Sequence, residues 1–188
     1  MIKNLDVNID YNKLYQEYVN LDIDNLLSSN YNLKQIAVQC RQDAPKESQL
    51  TESCGSLHID WIEYEKNPVG KLPLRKKIYK ENQFDKICDL FVNTEFEKLI
   101  QQISLQYKVV RGRFMLLQHK TCLTYHKDSS KRIHIPIYTN ENCMMIINDI
   151  VYRMPFGNTY LVDTTVPHTA LNASKDPRVH LVFCLNTD

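Results

Sequence analysis

The spacing of apolar and polar positions changes about halfway along the chain. Tyr11, Leu14, Tyr15, Tyr18 and Val19 recur at three- and four-residue intervals through DYNKLYQEYVN, which predicts an amphipathic helix near residues 10–20. Thr94 followed three residues later by Glu97 has the form of a capping box. Phe96, Leu99, Ile100 and Ile103 continue at helical spacing, so a helix is predicted over about 94–104. Between these, Ile36, Ala37 and Val38 in YNLKQIAVQCR read as a strand. The polar connection after it, residues 42–56, is long enough to be either a surface loop or a cover over a substrate site. LHIDWIEY, residues 57–64, reads as a strand or surface segment with a half-buried Trp61, and its lone His58-x-Asp60 pair is weak ground for a metal site.

From residue 107 onward the pattern becomes a series of short apolar runs divided by polar turns: KVVRGRFMLLQ, TCLTYHK, RIHIPIY, CMMIINDIVYRM, NTYLVDT and RVHLVFCLN. Short strands at such regular spacing predict a barrel or jelly roll, and the upstream helices would cover one of its faces. The fold class is therefore mainly β with flanking helices. A chain of 188 residues fits one domain with its own core, in which 1–106 supplies helical support and early strands and 107–188 the jelly-roll core.

Composition narrows the partners more than the fold. With 23 basic against 22 acidic residues there is no charge argument for nucleic acid or a membrane surface, and the run Arg75, Lys76, Lys77 and Lys80 reads as a solvated face. Six cysteines are spread without a C-x-x-C pair, which fits reduced thiols. The first residues have no apolar stretch of signal-peptide length, and no segment approaches the ~20 apolar residues of a membrane span, so the expectation is a soluble cytoplasmic protein. On that expectation Asn172-Ala173-Ser174 is a coincidental match to a glycosylation pattern.

The chemistry is concentrated in YHKDSSKRIHIPIY. In an extended chain alternate side chains share a face, so His126 and Asp128 point the same way. His168, at the end of an apparent strand, offers a third ligand. Two histidines and a carboxylate form the facial triad of non-haem Fe(II) oxygenases, with open positions opposite. Further along, Arg132 and His134 alternate with Ile133, Ile135 and Ile137, and Arg178 and His180 with Val179, Leu181 and Phe183. If the aliphatic faces pack in the core, Arg132, His134 and Arg178 look into the barrel, where an unpaired charge is costly and a bound anion would satisfy it. His180 reads as a buried partner of Arg178, His58 and His119 as surface or structural residues, and Asp163 as a turn or supporting group. Tyr125 and Tyr138 are placed either in the pocket or in the core.

HKD, RIHIPI, YLVDTTVPH and the arginine ten residues beyond His168, in this order over about residues 109–185, resemble the aspartyl/asparaginyl β-hydroxylase family of Fe(II)- and 2-oxoglutarate-dependent oxygenases, including its proline-hydroxylase-like members. The resemblance implies a double-stranded β-helix, a cupin-like jelly roll. It implies that His126, Asp128 and His168 bind iron and that Arg132, His134 and Arg178 hold 2-oxoglutarate. It implies a reaction in which O2 and 2-oxoglutarate yield succinate and CO2 while an amino-acid side chain, in a protein, a peptide or a free amino acid, is hydroxylated. The protein or peptide substrate is the leading expectation. A cupin-like metal protein without 2-oxoglutarate, and an inactive jelly-roll binding module, are the competing readings; neither has a use for Arg178.

Overall fold

A computed structural model describes residues 1–29, 34–66 and 71–186; of Trp61, Ile62 and Glu65 the backbone alone is described, so the expected half-burial of Trp61 lies outside the described residues. The strands are β1 (Ile2–Leu5), β2 (Gln35–Ala37), β3 (Gln39–Cys40), β4 (Lys86–Ile87), β5 (Val109–Leu117), β6 (Thr121–Cys122), β7 (Arg132–Tyr138), β8 (Cys143–Ile147), β9 (Ile150–Tyr152), β10 (Thr159–Val162), β11 (His168–Asn172) and β12 (Arg178–Leu185). The helices are α1 (Tyr11–Asn20), α2 (Ile23–Ser29), α3 (Trp61–Lys66) and α4 (Glu95–Ser104).

Six strands form an antiparallel sheet in the order β1-β10-β7-β12-β5-β2, and four form a smaller sheet in the order β6-β11-β8-β9. This is the expected double-stranded β-helix, with β3 and β4 as a separate small pair. Alternation along β7 and β12 sorts the side chains as predicted. Ile133, Ile135, Ile137, Val179, Leu181 and Phe183 are buried in one cluster with Leu14 and Tyr18 of α1, Ile23 and Leu27 of α2, and Phe96, Leu99 and Ile103 of α4. Phe114 of β5 anchors it, its ring centroid 5.1 Å from that of Phe96 and 5.4 Å from that of Tyr18. Each such buried side chain stabilises the fold by roughly 1.5–3 kcal/mol. A smaller cluster of Met145, Ile147, Met154, Tyr160 and Val162 ties the two sheets together through β8 and β10.

Local signals explain the helices. Asp10 caps α1 by accepting from the amides of Asn12 and Lys13 at 3.0 and 3.1 Å. At α4, Thr94 Oγ1 accepts from Phe96 N at 3.2 Å and Glu97 Oε2 from Asn93 N at 2.6 Å, close to the predicted capping box. Residues 61–66 correct the strand reading of LHIDWIEY: Asp60 Oδ1 accepts from Glu63 N at 3.1 Å and starts a helix too short to show periodicity. Asp60 thereby serves as a cap, and the cluster of potential metal ligands found among the described residues does not include it. The 42–56 connection is fastened in place, because Arg41 Nη2 pairs with Glu52 at 3.0 Å, Gln49, Ser53 and Cys54 are buried, and Arg111 donates to the carbonyls of Ser53 and Gly55. Asn172 is fully buried, with Nδ2 donating to Leu117 O at 3.1 Å and Asp176 O at 2.8 Å, so it serves as a backbone clamp. Among the described residues no helix is long and apolar enough to cross a membrane.

Candidate metal centre and its cavity

His126 and Asp128 lie on the chain leading into β7, and His168 opens β11. Backbone bonds join them: His126 N donates to His168 O at 3.0 Å, His168 N to His126 O at 2.9 Å, and Asp128 N to Thr164 O at 2.8 Å. This short ladder brings one ligand atom from each of the three side chains within 4.8 Å of the others. His126 Nδ1 is 2.7 Å from Thr124 O and His168 Nδ1 is 3.0 Å from Val166 O. A carbonyl can only accept, so each Nδ1 carries a proton and Nε2 is the ring nitrogen left to face a metal. Burial pushes the His168 imidazole below its ordinary value and so favours the neutral, ligating form. Two oriented imidazoles and a carboxylate suit a first-row divalent cation with open coordination positions.

The cluster opens onto a cavity of about 900 Å³, walled by β5, β7, β12 and the segments 55–58 and 78–82. Arg132 stands at the metal end. Its Nε lies 3.2 Å from Asp128 Oδ2, while Nη2 and Nη1 reach Glu81 Oε1 and Oε2 at 2.9 and 3.1 Å. Arg132 therefore does not present a free fork to the cavity, as its place in the sequence had suggested; it holds a candidate metal ligand in position. Glu81 also accepts from Arg111 Nη1 at 2.7 Å and from the Ser129 and Ser130 hydroxyls at 3.1 and 3.2 Å. Burial alone would raise its carboxyl, but the Arg132 and Arg111 guanidiniums hold it at about 2.

Arg178 occupies the other end. It is 7% exposed, its Nη2 donates to His180 Nδ1 at 2.9 Å, and no carboxylate pairs with it among the described residues. Burial lowers it to about 10, still a cation at neutral pH. His134 lines the cavity with its Nδ1 3.4 Å from that of His180. Burial, together with the charges of Arg178 and Arg132, holds His134 well below its ordinary value and hence neutral. Arg113, 5% exposed, adds another buried guanidinium to the wall.

The remaining sequence expectations fall as follows. His180 is the buried partner of Arg178. His119 is exposed, and His58 is exposed at the cavity edge. Asp163 shapes a turn, accepting from Thr165 N and Oγ1 at 3.2 and 2.6 Å. Tyr125 and Tyr138 are neither pocket nor core residues, being 52% and 41% exposed. Sequence reading missed Glu81, which sits in no local motif, and Arg111 and Arg113, whose R-x-R alternation in KVVRGRF was a usable sign of a polar strand face.

A cupin-like jelly roll carrying a two-histidine, one-carboxylate cluster at an arginine-rich cavity defines the class of protein. The chain belongs to the aspartyl/asparaginyl β-hydroxylase family: the profile described as Aspartyl/Asparaginyl beta-hydroxylase matches residues 39–187. The L-proline cis-4-hydroxylase of Rhizobium meliloti (strain 1021) is 29% identical over 77 residues, which is 38% of this chain and only 28% of that relative's length. The crystal structure of AviO1 from Streptomyces viridochromogenes Tue57 is similar in fold, with a TM-score of 0.50 and 10% identity over 98% of this chain and 88% of its own. An oxidoreductase of the 2OG-Fe(II) oxygenase family from Burkholderia pseudomallei matches 58% of this chain and 60% of its own, with a TM-score of 0.40 and 10% identity.

Proposed function

We propose that the protein is an Fe(II)- and 2-oxoglutarate-dependent dioxygenase that hydroxylates an amino-acid side chain, within a protein or peptide or as a free amino acid, releasing succinate and CO2. The observation that carries this reading is Arg178, a buried guanidinium without a carboxylate partner among the described residues, in the cavity onto which the candidate triad opens. A dicarboxylate that reaches from a metal to a planar cationic fork suits both ends. A metal-only jelly roll has no use for that cation. The family membership and the partial similarity to an L-proline hydroxylase support an amino-acid substrate.

In this reading His126, Asp128 and His168 hold the iron, and Arg178 binds the distal carboxylate of 2-oxoglutarate. Iron with 2-oxoglutarate and O2 supplies the oxidising chemistry, decarboxylating the co-substrate and placing oxygen into a C–H bond. The chain supplies position. Arg132 fixes the Asp128 carboxylate, and Thr124 and Val166 fix the two imidazoles by holding a proton on each Nδ1. His134, kept neutral, offers a hydrogen-bonding edge on the cavity wall without adding charge. Met145, Ala170, Leu117 and Val182 provide apolar wall that excludes water from the reacting groups.

Equilibrium dialysis of the metal-free protein against Fe(II) under anaerobic conditions tests the assignment. Wild type retains iron, and His126→Ala and Asp128→Ala lose it. Arg178→Ala keeps iron but binds 2-oxoglutarate about tenfold or more weakly, the scale of a lost charge-assisted pair. Unchanged 2-oxoglutarate binding in Arg178→Ala would contradict the reading.

A further inference from the structure

The edge of a sheet is an unfinished row of amides and carbonyls, which folds blunt with charge, shortness or cover. Four strands end the two sheets: β1 and β2 the larger, β6 and β9 the smaller. β1 carries the exposed Lys3. Along β2, Ala37 N donates to Leu50 O at 2.8 Å, so the 42–56 connection lies over that edge. β6 has two residues and is entered from the exposed Lys120. β9 is short as well, but its three residues, Ile150, Val151 and Tyr152, include no charge and no proline. Ile150 and Val151 are 57% and 48% exposed.

Register decides what this edge can accept. Asn148 and Asp149, with φ of 46° and 62°, make the two-residue turn from β8 into β9. The pair flanking such a turn, Ile147 and Ile150, exchanges both ladder bonds, and alternation makes the next pair, Ile146 and Val151, one without them. Val151 N–H and C=O therefore point away from β8, and neither has a partner among the described residues. Around Val151 the chain is its own complement. In DIVYR, residues 149–153, an antiparallel second copy turned about Val151 sets Val151 against Val151, Ile150 against Tyr152 and Asp149 against Arg153. Tyr125 donates to Asp149 Oδ1 at 3.0 Å and Arg153 Nε to Glu141 O at 2.8 Å, which leaves Asp149 Oδ2 and both Arg153 Nη groups unpaired among the described residues. The outer face beside this edge is apolar too, with Met144, Ile146 and Leu171 half-buried, while α1, α2 and α4 pack on the larger sheet.

We propose that β9 is a dimer edge whose partner is a second copy of this chain, joined antiparallel about a two-fold axis at Val151. Each Val151 amide donates to the carbonyl of the other, and the two four-stranded sheets become one sheet with four strands from each copy. Ile150 gains cover from Tyr152 of the second copy, a β-branched and aromatic pair, and the ends are closed by two Asp149–Arg153 pairs of opposite charge. The contact is isologous, so it uses up both edges and stops at two copies. None of residues 149–153 lines the cavity, so the dimer stands or falls apart from the activity proposed above.

The test is sedimentation equilibrium of the full chain over a concentration series. The apparent mass should rise from 22.1 kDa towards twice that value and level off there. Val151→Pro removes the outward amide without touching the β8 ladder, so it should stay monomeric at every concentration while its thermal midpoint, measured dilute, matches that of dilute wild type. Asp149→Asn keeps a residue suited to positive φ and Arg153→Gln keeps the length of the side chain; each should weaken association about threefold or more. Combined, they should weaken it no further than the stronger of the two, because both remove the same pair. A wild type that stays monomeric would overturn the proposal and leave the edge to an extended segment of a different protein. Growth beyond two copies, a Val151→Pro protein that still dimerises, or additive effects of the two charge variants would each overturn it as well.

Discussion

The two faces of the larger sheet are equally dry and chemically opposite. On one, Ile133, Ile135, Ile137, Val179, Leu181 and Phe183 pack against α1, α2 and α4. On the other, one residue out of step, stand Arg132, His134, Arg178 and His180, at 4%, 7%, 7% and 1% exposure. The first face gains free energy from burial, and the second gives some of it up to keep charge and imidazole out of water. Burial alone therefore does not mark a core; what the buried groups are paired with does.

The largest effect that separates the faces is expected from Phe183→Ala, which empties the helix-covered side and should cost about 4 kcal/mol in urea unfolding. A loss below about 1 kcal/mol would mean that this face is not where stability resides. Next, Glu81→Gln leaves Arg111 and Arg132 without their shared carboxylate and should cost about 3 kcal/mol. The same carboxylate sets a pH dependence. Its folded value, about 2, lies below the ordinary 4.5, so the unfolded chain binds more protons than the folded one in that interval. Stability is full above about pH 4.5 and is lost as pH falls towards 2. A urea series across this range should show a steeper loss in wild type than in Glu81→Gln.

Gly112→Ala probes the packed face from β5. A Cβ there would lie 2.7 Å from Phe183 Cδ1 and 3.2 Å from Gln39 Oε1, so the ring must move, at about 2 kcal/mol. A crystal structure of the variant showing Phe183 in place with unchanged stability would break the argument. Arg178→Met should have the smallest effect and the opposite sign: about 1 kcal/mol more stable in urea unfolding, because a desolvated cation is replaced by an apolar side chain, while 2-oxoglutarate binds about tenfold or more weakly. Destabilisation by Arg178→Met would show that the arginine serves the fold.

Much of this division was legible because β7 and β12 keep strict period-two alternation, which assigns Arg132, His134 and Arg178 to the face opposite the isoleucines. His126 and Asp128 share a face for the same reason, and His168 was found by its place at the end of an apparent strand, although in the structure it opens β11. The parts that stayed hidden depend on long-range pairing. Glu81 meets Arg132 across 51 positions of sequence, which no local pattern records. That contact is why Arg132, by its strand face an anion holder, is instead bound to two of the protein's own carboxylates. Asp60 in LHIDWIEY was readable as a possible ligand only until its hydrogen bond to Glu63 N showed it starting α3.

The most direct test of the account is an anaerobic titration of the metal-free protein with Fe(II) and then 2-oxoglutarate, followed in the visible range for the metal-to-ligand charge-transfer band of the chelate. The account predicts a saturable band in wild type that, in Arg178→Met, is reached only at about tenfold or more higher 2-oxoglutarate. Iron binding without any band would leave a metal-binding jelly roll that does not use 2-oxoglutarate, and failure to bind iron at all would contradict the metal centre itself.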